Sequence, residues 1–372
     1  MTVLAGGRVV TPRTVLDPGW IEVHAGRVVA VGRDRPPSTP TTDLAGAWVL
    51  PGFVDLHMHG GGGHDVAASA ADMAAAVDFH RAHGTTSTLV SLVAAPVTQL
   101  TEQLGWVASL AAGSARVLGA HLEGPFLSGA RCGAQNPKFL LEPDVGTFTT
   151  LRQAARGTLR VITVAPELAG ALDLISAARA AGVTVAIGHT DATAEQASRA
   201  VAAGATLATH LFNGMRPLHH RDPGAVGVAF DGGLACEIIN DGHHVHPTVV
   251  RVAAAAARGG LVLVTDAIDA AGAADGPRVL GGQPVDVEGG VARLRRTGAL
   301  AGSTLTMDQA VRRCVVDVGL SITAAAAAAA THPARVLGVG DRIGEISPGR
   351  TADLVLLDDD LRLERVLLSE VR

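Results

Sequence analysis

Apolar and polar positions alternate in a regular way through the middle of the chain. Between residues 51 and 330, short apolar runs are separated by alanine-rich stretches with helical spacing. The runs are FVDLHMH, TTSTLVSLV, VLGAHLEGP, RVITVAPE, TVAIGHT, ATLATHLFN, ACEIIND and LVLVTDAI. Buried runs that alternate with helices are typical of parallel β/α units. Because there are eight of them, the pattern predicts an α/β protein with a closed (β/α)8 TIM-like barrel.

The two ends of the chain have a different sequence pattern from the middle. Residues 1–50 and 335–372 contain short strand-like runs, such as WIEVHAGRVVAVG and TADLVLLDDD, broken by glycine, proline and aspartate. Such runs are typical of small antiparallel strands. We therefore predict one small β-sandwich domain built from 1–50 with 335–372, and a catalytic barrel over 51–334 inserted between them.

Composition excludes several classes of protein. The 372 residues are 48% hydrophobic and 17% charged, which is typical of a packed globular protein. A net charge of -5 argues against nucleic acid or an anionic membrane as partner. No uncharged apolar run reaches the roughly 18–20 residues of a membrane-spanning helix, and the N-terminus lacks a signal-peptide pattern. Three widely spaced cysteines indicate reduced thiols and a cytoplasmic protein.

Metal-ligand residue types recur where the apolar runs end. In a strand, residues i and i+2 share a face, so the histidines of His57-Met58-His59 point the same way. The carboxyl ends of parallel barrel strands lie on one face, which holds the active site in such barrels. Imidazole and carboxylate are ligands for Zn²⁺, Fe²⁺, Mn²⁺ or Co²⁺. The candidates at these strand ends are His57, His59, Glu123, His189, His210 and Asp266.

Each of these residues also has a simpler interpretation. A single histidine after a strand is more often a hydrogen-bonded surface residue than a ligand. The run Gly60–Gly63 fits a flexible turn as well as a loop that approaches a ligand closely. Six ligand-type residues at successive strand ends nevertheless favour a metal-dependent catalytic site.

Seven motifs resemble the amidohydrolase superfamily and, within it, the family of N-acetylglucosamine-6-phosphate deacetylases. They are PGFVDLHMHG, HLEGPFLS, GHTDAT, THLFNGM followed by RDPG, NDGHHVHP, LVTDAIDAAG and LAGSTLTMD. The first is shared across the superfamily, whereas HLEGP, HLFNGM and DGHHV are more specific to the deacetylases. The resemblance covers nearly the whole chain.

The resemblance implies a metal centre with named ligands. Glu123, His189 and His210 would be the main ligands, and His57 and His59 would hold a second ion with Glu123 bridging. Asp266 would be the catalytic carboxylate and would also face the metal. Zinc is the expected ion, with iron, manganese or cobalt as alternatives, at one or two ions per subunit.

The resemblance also implies a phosphosugar site. Arg221 and His244 match positions that bind the 6-phosphate. The full set of implied substrate-binding residues is Ala134, Gln135, Asn213, Gly214, Arg221, Asp241, His244, Leu300, Ala301 and Gly302. Gln135 departs from the family pattern, since some members carry there a histidine that polarises the substrate carbonyl; glutamine donates a hydrogen bond but carries no charge. Nearby Cys132 is interpreted as packing in a lid.

The implied reaction is metal-dependent hydrolysis of the acetamide of N-acetyl-D-glucosamine 6-phosphate. Metal-bound hydroxide would attack the carbonyl, with Asp266 as general base and then general acid. The products would be acetate and D-glucosamine 6-phosphate, in amino-sugar catabolism and cell-wall recycling. The family also implies a homodimer.

Two rival interpretations stay open at this point. Cyclic-amide hydrolases and acyl-amino-acid deacetylases of the same superfamily usually use a carboxylated lysine as bridging ligand. The barrel segment has a single lysine, Lys138, and it does not end a strand. A non-catalytic scaffold should have gaps in the ligand set, but all six positions are filled.

Overall fold

The computed structural model describes residues 1–34, 36 and 38–369. Its strands are, in chain order, β1 (Thr2–Val10), β2 (Val15–His24), β3 (Arg27–Arg33), β4 (Thr42–Asp43), β5 (Trp48–Pro51), β6 (Phe53–Asp55), β7 (Gly60–Gly61), β8 (His64–Asp65), β9 (Thr85–Val93), β10 (Val117–Glu123), β11 (Leu159–Val164), β12 (Thr184–Ile187), β13 (Leu207–Ala208), β14 (Ala235–Ile239), β15 (Leu261–Val264), β16 (Gly276–Leu280), β17 (Gln283–Glu288), β18 (Val291–Leu294), β19 (Leu354–Leu357) and β20 (Leu363–Leu367).

The helices follow the strands in the alternation that the sequence predicts. They are α1 (Ala70–Ala82), α2 (Val97–Gly113), α3 (Val145–Ala154), α4 (Ala171–Ala180), α5 (Ala194–Ala203), α6 (Gly224–Asp231), α7 (Pro247–Ala256), α8 (Met307–Val316), α9 (Ile322–Ala326) and α10 (His332–Val336). Short 3₁₀ turns cover Gly129–Arg131 and Pro137–Phe139, and a π-helical turn covers Ala327–Thr331. Within the described part of the chain, no helix is long and apolar enough to cross a membrane.

The chain divides into two compact units. The first comprises Met1–Asp55, His80–Ser87 and the chain from Thr306 onward; the second comprises Leu56–Phe79 and Thr88–Leu305. Helices α8 to α10 therefore belong to the same compact unit as the chain ends. The boundaries 1–50 with 335–372 and 51–334 stay a prediction.

Strands from both chain ends form one sheet in the first unit. Among the described residues it has seven strands in the order β20-β19-β5-β1-β2-β3, with β4 beside β1. The junction of the two ends is the antiparallel pair β5–β19, in which Val49 faces Leu356. Val9, Ile21 and Val49 are fully buried in the core of this sheet. The sequence correctly predicts that the two distant ends build one β structure.

The eight apolar runs each supply one strand of the barrel. Over the described ranges the sheet order is β6-β9-β10-β11-β12-β13-β14-β15, which is the order along the chain. Two backbone hydrogen bonds join the segment after the last strand to the segment after the first. The N–H of Asp266 donates to the carbonyl of His57 (2.8 Å), and the N–H of His59 donates to that of Ala267 (2.8 Å). These contacts close the sheet, as the (β/α)8 prediction requires.

The barrel strands are buried on both faces, which explains their near-continuous apolar sequence. All nine residues of β9 and all five of β14 are buried. Parallel strands that are covered by helices have near-continuous apolar sequences, because neither face of the sheet is exposed to water. A charged residue inside such a strand, such as Glu237 in β14, therefore needs a specific partner.

A three-stranded antiparallel sheet, β16 to β18, follows the last barrel strand and was not predicted. Its two turns are Gly281-Gly282 and Gly289-Gly290, with all four φ values positive, between 55° and 76°. Two-residue turns of this kind match the twist of the strands that they join. Val285 and Leu294 of this sheet pack against Val93 and Ile268 in one cluster. The double-glycine spacing is a hairpin signal that the barrel pattern obscured.

Candidate active site

The six predicted strand-end residues converge in the second unit. His57 and His59 follow β6, and Glu123 is the last residue of β10. His189, His210 and Asp266 each lie two residues beyond the end of their strand. All six are buried, with no residue more than 7% exposed. Parallel strands bring their carboxyl ends together, so residues far apart in sequence meet at one end of the barrel.

Glu123 lies between two pairs of histidines. One carboxylate oxygen, Oε1, is 2.8 Å from His189 Nε2 and 2.9 Å from His210 Nε2. The other oxygen, Oε2, is 3.1 Å from His59 Nε2, and His57 Nε2 is 3.5 Å from Oε1. We call His57 and His59 the first pair, and His189 and His210 the second pair. The carboxylate is placed to bridge them, and each pair with Glu123 forms a group that could hold a metal ion.

Asp266 belongs to the side of the first pair. Its Oδ1 lies 3.4 Å from His57 Nε2 and 3.3 Å from His59 Nε2. It also lines the cavity described below. Asp266 can therefore face both a metal ion and a bound substrate.

Each of the four histidines uses its outer nitrogen in a hydrogen bond to an oxygen that can only accept. The Nδ1 acceptors are Glu237 Oε2 for His57 (3.2 Å), the Ser91 carbonyl for His59 (3.1 Å), the Arg131 carbonyl for His189 (2.9 Å) and the Asn213 carbonyl for His210 (3.1 Å). Nδ1 must therefore carry the proton, which leaves the lone pair of a neutral ring on Nε2. All four lone pairs then point to the centre. This is the arrangement that metal-binding histidines adopt.

The spacing of these nitrogens fits a divalent metal ion. Nε2 of His57 and Nε2 of His59 lie 3.0 Å apart, and those of His189 and His210 lie 3.1 Å apart. Two lone pairs at that distance repel each other unless a cation lies between them. Nitrogens that each bind one ion at about 2.0–2.1 Å are themselves about 3 Å apart. The donor set and its spacing therefore suit a metal such as zinc.

The electrostatics of the cluster also favour positive charge. Burial lowers the pKa of His59, but hydrogen bonds to Asp266 and Glu123 outweigh it and raise this pKa to about 9. Burial opposes the charge of His57 too, yet Glu123 and Asp266 raise its pKa well above the usual value. Burial raises the pKa of Glu123, but the neighbouring His57 and His189 lower it by more. The net pKa therefore lies well below the usual value, and the group is ionised. A metal ion would satisfy the same negative charge that otherwise binds protons.

Three of the six residues have an unusual backbone conformation. His189, His210 and Asp266 have φ values of 46°, 26° and 48°, in the left-handed region that non-glycine residues rarely occupy. Such conformations cost free energy and persist where the surroundings enforce them, often at functional sites. The chain leaves each strand abruptly at these points, which turns the side chain into the barrel mouth.

A cavity of about 270 Å³ opens beside the cluster. Its apolar wall includes Val93, Ile239, Leu280 and Leu300. Most of the predicted substrate-binding residues line it: Ala134, Gln135, Asn213, Gly214, His244, Leu300 and Gly302. A cavity with an apolar wall and a few convergent polar groups is typical of a small-molecule site.

Three predicted substrate residues do not line this cavity. Ala301 is fully buried. Asp241 instead holds His244, because its Oδ2 accepts from His244 Nδ1 (2.6 Å) and its Oδ1 from the His244 N–H (2.9 Å). Arg221 is exposed, and its Nη1 donates to His220 Nε2 (2.9 Å). The structure thus brings His244 to the cavity but does not bring Arg221 there.

Gln135 is engaged with the bridging carboxylate. Its Nε2 donates to Glu123 Oε2 (2.6 Å), and its Oε1 accepts from the Ala94 N–H (2.8 Å). Gln283 of the unpredicted sheet donates to the carbonyls of Ala134 (2.8 Å) and Gln135 (3.0 Å). Gln135 therefore orients Glu123, and the β16–β18 sheet supports the loop that carries it.

Other supporting residues were also missed from the sequence. Asp191 accepts from Arg131 Nε (2.8 Å) and Arg216 Nη2 (3.0 Å), and Arg216 Nη1 donates to Asp222 (3.0 Å). This chain of ion pairs supports the loop whose Arg131 carbonyl holds His189. Of the missed residues, Glu237 had the clearest signal, as a carboxylate within an apolar run.

Comparison with known proteins gives consistent matches over almost the whole chain. The model of the amidohydrolase family matches residues 48–371. The N-acetylgalactosamine-6-phosphate deacetylase of Escherichia coli O157:H7 is 37% identical, over 96% of each chain. The N-acetylglucosamine-6-phosphate deacetylase of Bos taurus is 38% identical, over 95% of this chain and 88% of its own. A solved structure shows a mutant N-acetyl-D-glucosamine-6-phosphate deacetylase from Mycobacterium smegmatis in complex with N-acetyl-D-glucosamine-6-phosphate. Its sequence is 41% identical and its TM-score is 0.95, and the match covers 99% of this chain and 97% of the other.

Proposed function

Because the chain belongs to the amidohydrolase family, we propose that it hydrolyses the acetamide of N-acetyl-D-glucosamine 6-phosphate to D-glucosamine 6-phosphate and acetate. The observation that carries this proposal is the cluster of four inward-facing histidines and two carboxylates beside a cavity of about 270 Å³. Relatives with this activity in their names match nearly the full chain. The reaction belongs to amino-sugar catabolism.

Glu123 and the two histidine pairs would hold the metal. A divalent ion there would supply Lewis-acid chemistry, which makes water a nucleophile at neutral pH. We propose zinc, since imidazole and carboxylate donors suit it, with iron, manganese or cobalt as alternatives. The position of Glu123 between the pairs supports two ions per subunit over one.

Asp266 is placed to move the proton in this reaction. Burial raises its pKa, but the neighbouring His57 and His59 outweigh burial and lower it below the usual value. The carboxylate is therefore ionised at neutral pH and can accept a proton from the attacking water. As the new C–O bond forms and the C–N bond breaks, Asp266 returns this proton to the departing amine nitrogen.

Polar residues around the cavity would hold the sugar and its phosphate. We propose that His244 binds the 6-phosphate, since it lines the cavity and Asp241 fixes its ring. Arg221 would join it when substrate binds, because a guanidinium binds a phosphate dianion through two hydrogen bonds. The remaining proposed sugar contacts are Ala134, Asn213, Gly214, Leu300 and Gly302.

The galactosamine epimer is a second candidate substrate. The Escherichia coli relative that acts on it by name matches this chain as well as the glucosamine enzymes do. Both sugars carry the same acetamide and phosphate and differ in the configuration of one hydroxyl. The metal cluster would serve both, so the sugar contacts would decide between them.

An acetate-release assay tests the proposal. We expect turnover of N-acetylglucosamine 6-phosphate and much slower turnover of unphosphorylated N-acetylglucosamine, both abolished by complete metal removal and restored by zinc. Comparison with N-acetylgalactosamine 6-phosphate identifies the preferred epimer. Full activity without metal would contradict the mechanism, and equal rates with and without the phosphate would contradict the His244 and Arg221 assignments.

We also propose that the protein is a cytoplasmic homodimer. The cytoplasmic location rests on the few, widely spaced cysteines, and the dimer on the family resemblance. Light scattering in solution would check the dimer: a monomeric mass near 37.7 kDa would contradict it.

A further inference from the structure

A buried carboxylate behind the first pair has no part in the proposed reaction. Glu237 is the third residue of β14, in the otherwise apolar run ACEII, and is fully buried. An ionised group in such a place is costly unless it has specific partners. Its position within the barrel therefore points to a role that offsets the cost.

Glu237 contacts one residue of each histidine pair through the same oxygen. Its Oε2 lies 3.2 Å from His57 Nδ1, and it also accepts from the backbone N–H of His210 at 3.2 Å. Its other oxygen, Oε1, has no hydrogen-bond partner among the described residues. Glu237 thus joins the ring of one ligand to the main chain of another.

We propose that Glu237 is a positioning residue that prepares both pairs for the metal. As an acceptor at Nδ1, it keeps the proton of His57 there and directs the Nε2 lone pair to the centre of the cluster. Its bond to the His210 N–H helps to hold that residue in its left-handed conformation, at φ 26°. This inference rests on the proposed metal-dependent function.

The two histidines of the first pair differ in the kind of group that holds the ring. His59 is held by a backbone carbonyl, that of Ser91, which is part of strand β9 and stays in place whatever its side chain. His57 depends on a side chain instead. Removal of that side chain would take away the carboxylate that fixes the proton on Nδ1 of this fully buried ring, and the ring could then present the wrong nitrogen.

Zinc affinity, measured by competition with a chromophoric chelator, tests this inference. The wild type is measured first, because failure to bind zinc at all would defeat the proposed function and not the role of Glu237. We expect Glu237→Ala to weaken zinc binding roughly 10- to 100-fold, the range for loss of a carboxylate that supports a ligand. Glu237→Gln should stay within about tenfold of wild type, since its amide oxygen still accepts both hydrogen bonds.

A control separates positioning from stability. Asp353→Ala removes another buried carboxylate, in the first unit, where Asp353 accepts from the Ser369 N–H (2.7 Å). This variant should lower the melting temperature without a change in zinc affinity. Wild-type zinc affinity in folded Glu237→Ala would overturn the proposal.

A measurement on the unmodified protein covers the case in which Glu237→Ala does not fold. In zinc-loaded wild type labelled with ¹⁵N-histidine, NMR should show His57 bound through Nε2 with a slowly exchanging proton on Nδ1. Binding through Nδ1, or the absence of that proton, would overturn the assignment.

Discussion

The two histidine pairs use the same chemistry but different supports. The first pair comes from a single segment after β6, and its outer nitrogens bond to groups in barrel strands, the carbonyl of Ser91 and the carboxylate of Glu237. The second pair comes from two strand ends, and its outer nitrogens bond to loop carbonyls, those of Arg131 and Asn213.

These supports show where each pair is vulnerable. Regular strands hold the first pair, so we expect a substitution to disturb it only if the substituted residue lies inside the barrel. The second pair depends on loops, on left-handed backbone at His189 and His210, and on close packing by Gly214. Glu123 is common to both. Four substitutions, in decreasing order of effect, separate these dependences.

Glu123→Gln should be the most damaging of the four. An amide cannot bridge two positive centres as a carboxylate does, so both pairs should lose metal together. We expect turnover to fall by more than the roughly 10,000-fold that loss of a general acid–base group can cost, since the metal that would activate water is lost as well. Metal content by atomic emission and acetate release would check this. Loss of metal from one pair alone would show that Glu123 is not shared.

Asp266→Asn should separate chemistry from metal binding. The asparagine side chain would keep the shape of the aspartate but could not accept the proton, so turnover should fall about 100- to 10,000-fold. Metal content and the binding of substrate, measured by calorimetry, should change much less. Turnover near wild type would refute the role of Asp266.

Gly214→Ala should disturb the second pair through its loop. Gly214 has φ 59°, and an added Cβ would lie 2.9 Å from His189 Nδ1 and 3.2 Å from the Arg131 carbonyl. The strained backbone should cost about 1–3 kcal/mol, and zinc should bind more weakly. Gly182→Ala is a matched control, because Gly182 has φ 76° with nothing within 4 Å of its Cβ. Chelator competition on both variants checks this; equal zinc affinities would contradict it.

Asp191→Asn should be the mildest change, through the outermost support of the second pair. Hydrogen bonds from Arg131 and then Arg216 lower the pKa of Asp191. A carboxylate whose pKa is lower in the folded state stabilises the fold at pH values above its unfolded-state pKa, which is about 3.9. This stabilisation is lost as the pH falls through the folded-state pKa. We expect the free energy of unfolding to fall by less than about 1 kcal/mol at pH 7, since the ion pairs of Asp191 with Arg131 and Arg216 are partly exposed. Urea unfolding should show the two proteins converging below about pH 4; a difference that grows there would have the wrong sign.

Much of the fold followed from periodicity. Each of the eight apolar runs became a barrel strand, because strands buried on both faces must be apolar throughout. The β16–β18 sheet lies outside the predicted pattern, since its alternating residues, such as Val285 and Val287, follow the last barrel strand and have the period of a hairpin. Its contacts with the Gln135 loop could not be read from spacing, because they join residues 148 and 149 positions apart.

Local sequence patterns predicted six residues of metal-ligand type at the ends of the barrel strands, and the structure brings these six together. Strand periodicity placed His57 and His59 on one face, and the parallel order placed Glu123, His189, His210 and Asp266 beside them. How those ligands are held depends instead on the tertiary structure. The bond between His57 and Glu237 spans 180 residues, and the position of Arg221 outside the cavity depends on its loop. Periodicity specifies strands and faces, whereas the partner of a buried polar atom depends on packing between strands distant in sequence.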